Sequence, residues 1–250
     1  MSLFDSHFHI IDPRFPLVPN QGFLPEPFTV ADYKAKAEPL GIGGGAVVSG
    51  SFQAFDQSYL LEALSILGKT FVGVTQLPAS ATDEEILALS DAGVRGVRFN
   101  VRRGGSEELS RIKELAVRVY DLAAWHVELY IDAKEIDDFL AEVLFSLPKV
   151  SIDHVGLSKE GLPIILRLAE KGVRIKATGF GRLDFEVQPV LVKIAGVNPD
   201  SLLFGTDLPC TRAPVPFSDN DLNLIRETFE GDMLAKVLSK NARKFYGISV

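Results

Sequence analysis

Two rhythms of apolar and polar positions take turns along this chain. Short runs with period-two alternation, the spacing of strands, predict strands at Leu3–Phe8, Ala46–Ser49, Thr70–Thr75, Val94–Asn100, Val127–Ile131, Val150–His154, Val173–Thr178 and Leu202–Asp207. Between them, amphipathic stretches predict helices at Val30–Glu38, Gln57–Leu67, Asp83–Ala92, Glu107–Ala124, Lys134–Leu147, Lys159–Lys171, Val187–Ala195 and Asp219–Phe245. A Thr82-x-x-Glu85 capping box opens the third helix, Ser106 is the expected N-cap of the fourth, and Gly93, Gly172 and Gly196 supply left-handed helix ends.

Eight strand–helix units in 250 residues are the arithmetic of an α/β fold of the (β/α)8 TIM-barrel type, read as one domain over residues 1–250. A doubly wound sheet would want a glycine fingerprint opening its first helix. The run Gly41-Ile42-Gly43-Gly44-Gly45 instead precedes a strand and reads as a turn.

Strand phase carries the functional signal. In the first strand Asp5, His7 and His9 share one face, opposite Phe4 and Phe8. The fourth sets Gly96, Arg98 and Asn100 against Val97, Phe99 and Val101, and the fifth sets Glu128 and Tyr130 against Val127, Leu129 and Ile131. With the apolar faces turned to the helices, the polar faces point into the barrel and grow more polar toward the C-terminal strand ends, where barrel active sites lie. In the sixth strand His154 shares the inward face with Val150 and Ile152, and Asp153 takes the helix side. His7, His9, His154 and Asp207 thus converge on one barrel mouth as candidate catalytic groups. His126 begins its strand at the opposite end, a structural position. Lys176 points inward, where Glu128 is its expected partner.

Composition then narrows the partners. The 33 acidic against 26 basic side chains leave a formal net charge of −7, which repels phosphate backbones and anionic lipid, so no nucleic-acid or membrane partner is expected. One cysteine, Cys210, precludes an internal disulfide and suits a reducing cytoplasm. Self-association into a homo-oligomer is left open. Against that acidic background the predicted mouth collects Arg98, Arg102, Arg103 and Arg182, an arrangement for a small organic acid.

The strings Asp5-Ser6-His7-Phe8-His9, Gly96-Val97-Arg98-Phe99-Asn100, Asp153-His154-Val155-Gly156 and Phe204-Gly205-Thr206-Asp207-Leu208-Pro209 together resemble the amidohydrolase superfamily (amidohydrolase family 2), in its branch of 2-pyrone-4,6-dicarboxylate lactonases. That resemblance implies a hydrolase opening a carboxylated lactone, with Asp207 as the base for water and His7, His9 and His154 polarising the carbonyl. It implies substrate carboxylates gripped by Arg98, Arg182 and the Arg102–Arg103 pair, helped by Tyr130 and by Ser49 or Ser51. No cofactor is expected, because Tyr130 stands where metal-dependent decarboxylases of the wider family end strand five with a histidine. The alternatives are a decarboxylase of an aromatic or muconate-type acid, with one Zn or Mn on His7, His9, His154 and Asp207, and a non-catalytic barrel that binds an acidic metabolite.

Overall fold

In a computed structural model the structure describes residues 2–249. Eight parallel strands lie in one sheet in sequence order: β1 Leu3–Phe8, β2 Ile42–Val48, β3 Phe71–Thr75, β4 Val94–Phe99, β5 His126–Leu129, β6 Val150–Ile152, β7 Arg174–Ala177 and β8 Leu202–Phe204. Just beyond β8 the circle is completed by main-chain bonds, Asp207 N to His7 O (2.8 Å) and His9 N to Leu208 O (2.7 Å). This is the expected (β/α)8 barrel.

Helices fill the crossovers: α1 Val30–Ala37, α2 Ser58–Leu67, α3 Asp83–Asp91, α4 Ile112–Ala123, α5 Asp138–Ser146, α6 Leu162–Glu170, α7 Val187–Val197 and α8 Asp219–Thr228. The single C-terminal helix expected over 219–245 is instead interrupted, with α9 (Gly231–Ala235), one wider π turn and α10 (Asn241–Tyr246) following α8. The Thr82 capping box is present, Glu85 N donating to Thr82 Oγ1 at 3.2 Å. Ser106 does not cap α4, which starts six residues later; its hydroxyl accepts from Asn100 N (2.8 Å) and ties down the loop after β4. Gly93 and Gly172 have left-handed φ, but Gly196 lies inside α7.

The glycines of the 41–45 run correct another expectation, because Gly43, Gly44 and Gly45 belong to β2 itself. A Cβ at Gly44 would lie 2.7 Å from Thr70 O, and one at Gly45 would lie 2.7 Å from Asp5 O. Neighbouring strands approach too closely there for a side chain.

The phase of β1 is also not uniform. Its pairing with β2 slips between Asp5 and Phe8, so the two ends of the strand present opposite parities to the barrel. Phe4 packs inward with Ala46, Val48, Val72, Val74 and Leu203, and Tyr246 of α10 stacks on it from below. Asp5 faces outward to Tyr33 of α1, beside Phe8, which stacks on the same ring. His7 and His9, beyond the slip, point inward as expected. The outer faces of the strands meet the helices in a large apolar layer containing Val47, Val97, Phe99, Leu129 and Ile175.

Candidate active site

Asp207 lies at the centre of the barrel mouth. It follows β8 in a left-handed conformation (φ 61°), and that turn swings its carboxylate over the β1 histidines. Arg182, from the loop after β7, grips Oδ2 through Nε (2.8 Å) and Nη2 (2.7 Å). The other oxygen, Oδ1, is buried with no hydrogen-bond partner. It stands 3.8 Å from His7 Nε2, 3.8 Å from His9 Nε2 and 3.9 Å from His154 Nε2. Four polar atoms therefore surround one point without touching each other.

His9 and His7 have polar groups behind their rings, whereas His154 Nδ1 is buried with no hydrogen-bond partner. His9 Nδ1 lies 2.7 Å from the Val48 carbonyl, which can only accept, so Nδ1 carries the proton and Nε2 offers a lone pair. Burial, then the nearby charges of His7 and Arg98, hold its pKa well below the ordinary value, so it is neutral. His154 is likewise neutral, its pKa lowered by burial and by Arg182 and His7. His154 does not sit on β6, which ends at Ile152; a left-handed φ of 49° turns its ring into the mouth. Its ring is seated against Gly179, where a Cβ would come within 2.5 Å of Nδ1.

His7 differs from the other two. Its Nδ1 is 3.3 Å from Asp153 Oδ1 and 3.5 Å from Glu128 Oε1. Burial would lower its pKa, but Asp153 and Glu128 more than offset that and raise it. Lys176 Nζ, which can only donate, is also 3.2 Å from Nδ1; its charge opposes the two carboxylates without reversing the rise.

Beneath the histidines lies a buried ionic layer. Arg98 donates from Nε (3.1 Å) and Nη2 (2.8 Å) to Asp153 Oδ2 and from Nη1 to Ser49 O (2.8 Å). Lys176 donates to Glu128, as its phase suggested. Burial would raise the Asp153 carboxyl, as would Glu128, but His7, Arg98 and Lys176 bring it down to about 2. Glu128 is held well below the carboxylate range against its own burial, chiefly by Lys176. Asp153 was expected on the helix side. It lies inward because the regular alternation stops at Ile152, and the inward Arg98 needs a carboxylate partner.

The remaining predicted residues separate into two groups. Ser51, Arg103, Tyr130 and Arg182 line the small cavity at the mouth, together with Arg98. Ser49 does not: its hydroxyl is taken by Tyr59 OH at 2.7 Å. Arg102 is also outside, half exposed and 3.8 Å from Glu135, because the chain after Asn100 turns its side chain to the surface. Sequence reasoning missed Asp153 as a site residue, and it missed Arg212, which follows Asp207 by five positions and lines the same cavity. His126 packs under the site against Phe245 and Tyr246, in the structural role expected of it.

An eight-stranded barrel with a His-x-His pair closing β1 and an aspartate closing β8 defines a hydrolase of the amidohydrolase class. The chain belongs to the amidohydrolase family, matching it over residues 4–248. It is 28% identical over 233 residues to a 2-pyrone-4,6-dicarboxylate hydrolase of Comamonas testosteroni, covering 82% of this chain and 76% of that one. To a 4-sulfomuconolactone hydrolase of Rhizobium radiobacter it is 26% identical over 272 residues, covering 98% and 89%. A crystal structure of a probable 2-pyrone-4,6-dicarboxylic acid hydrolase from Acinetobacter baumannii, with citric acid bound, superposes with a TM-score of 0.84 at 20% identity, covering 99% of this chain and all of that one.

Proposed function

We propose that this hydrolase opens a small lactone bearing acidic groups, using Asp207 as the base. The observation that carries the reading is the bare, buried Asp207 Oδ1 facing three imidazole Nε2 atoms at 3.8–3.9 Å. A water molecule placed between them can give one hydrogen bond to Oδ1 and one to the neutral His9. Its oxygen lone pair is then free to attack. Oδ1 takes a proton as the new C–O bond forms, the ring C–O bond breaks, and the proton passes to the leaving oxygen, giving a hydroxy acid or, from an enol lactone, an enol acid that tautomerises to the keto acid. His7, its pKa raised by Asp153 and Glu128, is placed to stabilise the oxyanion through Nε2. The names of the two curated relatives support lactones with acidic substituents as the substrate class.

The donor set also fits a divalent metal. His7, His9 and Asp207 offer atoms lying within 4.8 Å of one another, and His154 falls in a second such group with His7 and Asp153. Such an ion would polarise a carbonyl and acidify bound water. Metal-independent hydrolysis is nevertheless the reading we favour, because the site is already balanced. Asp207, Asp153 and Glu128 face Arg182, Arg98 and Lys176, so a further dication would meet a carboxylate whose charge is matched. Protein stripped by chelator dialysis should keep its full rate, whereas stoichiometric Zn or Mn needed for activity would refute this part.

Asp207→Asn is the central test. Asn would turn its carbonyl oxygen to Arg182, leaving the amide nitrogen where the base stood. The expected fall in kcat is ~10²–10⁴ with KM little changed; more than a tenth of the rate remaining would contradict the role. None of the described helices is long and apolar enough to cross a membrane, and the lone buried cysteine supports a cytoplasmic setting.

A further inference from the structure

The inner cavity at Asp207 holds only about 30 Å³, space on the order of one or two waters. A second hollow of about 320 Å³ adjoins it, and Arg103, Tyr130, Arg182 and Arg212 line both. That larger volume is at the lower end of the ~300–1,000 Å³ usual for small-molecule sites. A ring-sized ligand must therefore lie across the shared wall, with its reacting carbonyl inward and its far end outward.

The charges along that path differ in one respect. Arg98 is paired with Asp153, Arg182 with Asp207 and Arg102 with Glu135. Among the described residues no carboxylate pairs with Arg103 or Arg212. Arg212 donates instead to the side-chain oxygen of Asn20 (3.1 Å) and to the Asn20 carbonyl, and its guanidinium lies 4.3 Å over the Phe23 ring. For Arg103, main-chain atoms make the contacts, its carbonyl accepting from Asn20 Nδ2 and its N–H donating to Asn100 Oδ1. The two guanidiniums repel each other enough that Arg103 adds to burial in lowering the Arg212 pKa. The acidic groups of the outer hollow are engaged elsewhere: Asp132 with Ser158 and Lys134, and Asp184 with Lys159 N.

We infer that Arg212 joins Arg103, which the family resemblance already places at a substrate carboxylate, to bind an oxyanion, a carboxylate or sulfonate, at the end of the substrate remote from the bond that breaks. Two like charges held together over neutral partners are an arrangement that an anion completes. The neutral Asn20 oxygens hold Arg212 in place and are exchanged for the anion, or shared with it, when substrate binds. Arg98 and Arg182 keep their internal carboxylates. The lactonase reading supplies what the ligand is; the geometry alone supplies where its anion lies.

The test uses the intact protein and calorimetric titration with two rigid probes, benzene-1,3-dicarboxylate and benzoate. Wild type should bind the diacid at least tenfold more tightly than the monoacid. Arg212→Gln should lower diacid affinity at least tenfold and leave benzoate within twofold, Arg103→Gln should act in the same direction, and Arg212→Lys should fall between. Equal loss for both probes, unchanged diacid affinity in Arg212→Gln, or no diacid preference in wild type would overturn the proposal. Circular dichroism of each variant separates unfolding from lost recognition. If wild type opens no carboxylated lactone yet the diacid preference disappears in Arg212→Gln, the anion site stands and the lactonase reading falls.

Discussion

Replacing Asp5 by Asn should make this protein more stable at neutral pH. Asp5 is fully buried and accepts four hydrogen bonds: from Thr206 N (2.8 Å), Thr206 Oγ1 (2.6 Å), His7 N (3.2 Å) and Tyr33 OH (3.2 Å). Burial nevertheless outweighs these bonds and lifts its pKa from the ordinary 3.8 to about 6. Below the unfolded value the carboxyl is protonated in both states and carries no penalty. As pH rises through the folded value, the unfolded chain has already released its proton and the folded chain must ionise a buried group. Stability is lost across that window, by about 3 kcal/mol for a rise of this size. Asn avoids the loss and keeps the contacts. Its oxygen can accept from Thr206 N and His7 N, and its amide can donate to the Thr206 and Tyr33 hydroxyls, which rotate to accept. Urea unfolding of both proteins between pH 4 and pH 7.5 checks this. The expected difference is within ~1 kcal/mol at pH 4 and grows to ~1–3 kcal/mol in favour of Asn at pH 7.5. Asp5→Ala, which leaves the two main-chain donors bare, should be less stable throughout. A destabilised Asp5→Asn at pH 7.5, or a difference that does not vary with pH, would refute the reasoning.

Arg98→Lys keeps the charge but not the three hydrogen bonds to Asp153 and Ser49 O, and should cost ~2–4 kcal/mol in urea unfolding; a loss below ~1 kcal/mol would show that an ammonium can replace the fork. Gly96→Ala places a methyl 2.2 Å from His126 Cε1 and 2.6 Å from its Nδ1, and should lower stability by ~1–3 kcal/mol or more. Cys210 is buried, with its thiol pushed up to about 12 by burial and by Asp207. Native protein should therefore resist iodoacetamide at pH 8 and react only when unfolded, as mass spectrometry would show.

The barrel was legible because each inward–outward alternation in β4, β5 and β7 held for the length of the strand. Legibility failed where the chain leaves the strand conformation. Nothing in Asp5-Ser6-His7 announces the slip that turns Asp5 outward, and an alternation rule carried past Ile152 necessarily misplaces Asp153. The left-handed turns at His154, Asp207 and Arg212 are set by packing at the barrel mouth rather than by local preference. One signal was available for Asp153: an inward Arg98 requires a buried carboxylate, and the aspartate beside His154 was a candidate. Ser49 and Ser51 differ by two positions, yet only the pairing of Ser49 with Tyr59 decides which faces the cavity.

The buried ionic layer bears on how such a barrel can be divided. Cut between β4 and β5, the N-terminal half keeps His7, His9 and Arg98, whereas Glu128, Asp153, Lys176, Arg182 and Asp207 all fall in the other half. The ion pairs of Arg98 and His7 with Asp153 and Glu128 each cross that cut. An isolated N-terminal fragment would have to enclose a guanidinium with no counter-charge, and its complement would leave Glu128 and Asp153 to share the single ammonium of Lys176. Half-barrels of this chain are therefore poor modules for recombination with foreign halves, unless the donor brings acids at the positions of Glu128 and Asp153. The charges that tune the chemistry also make each half specific for the other.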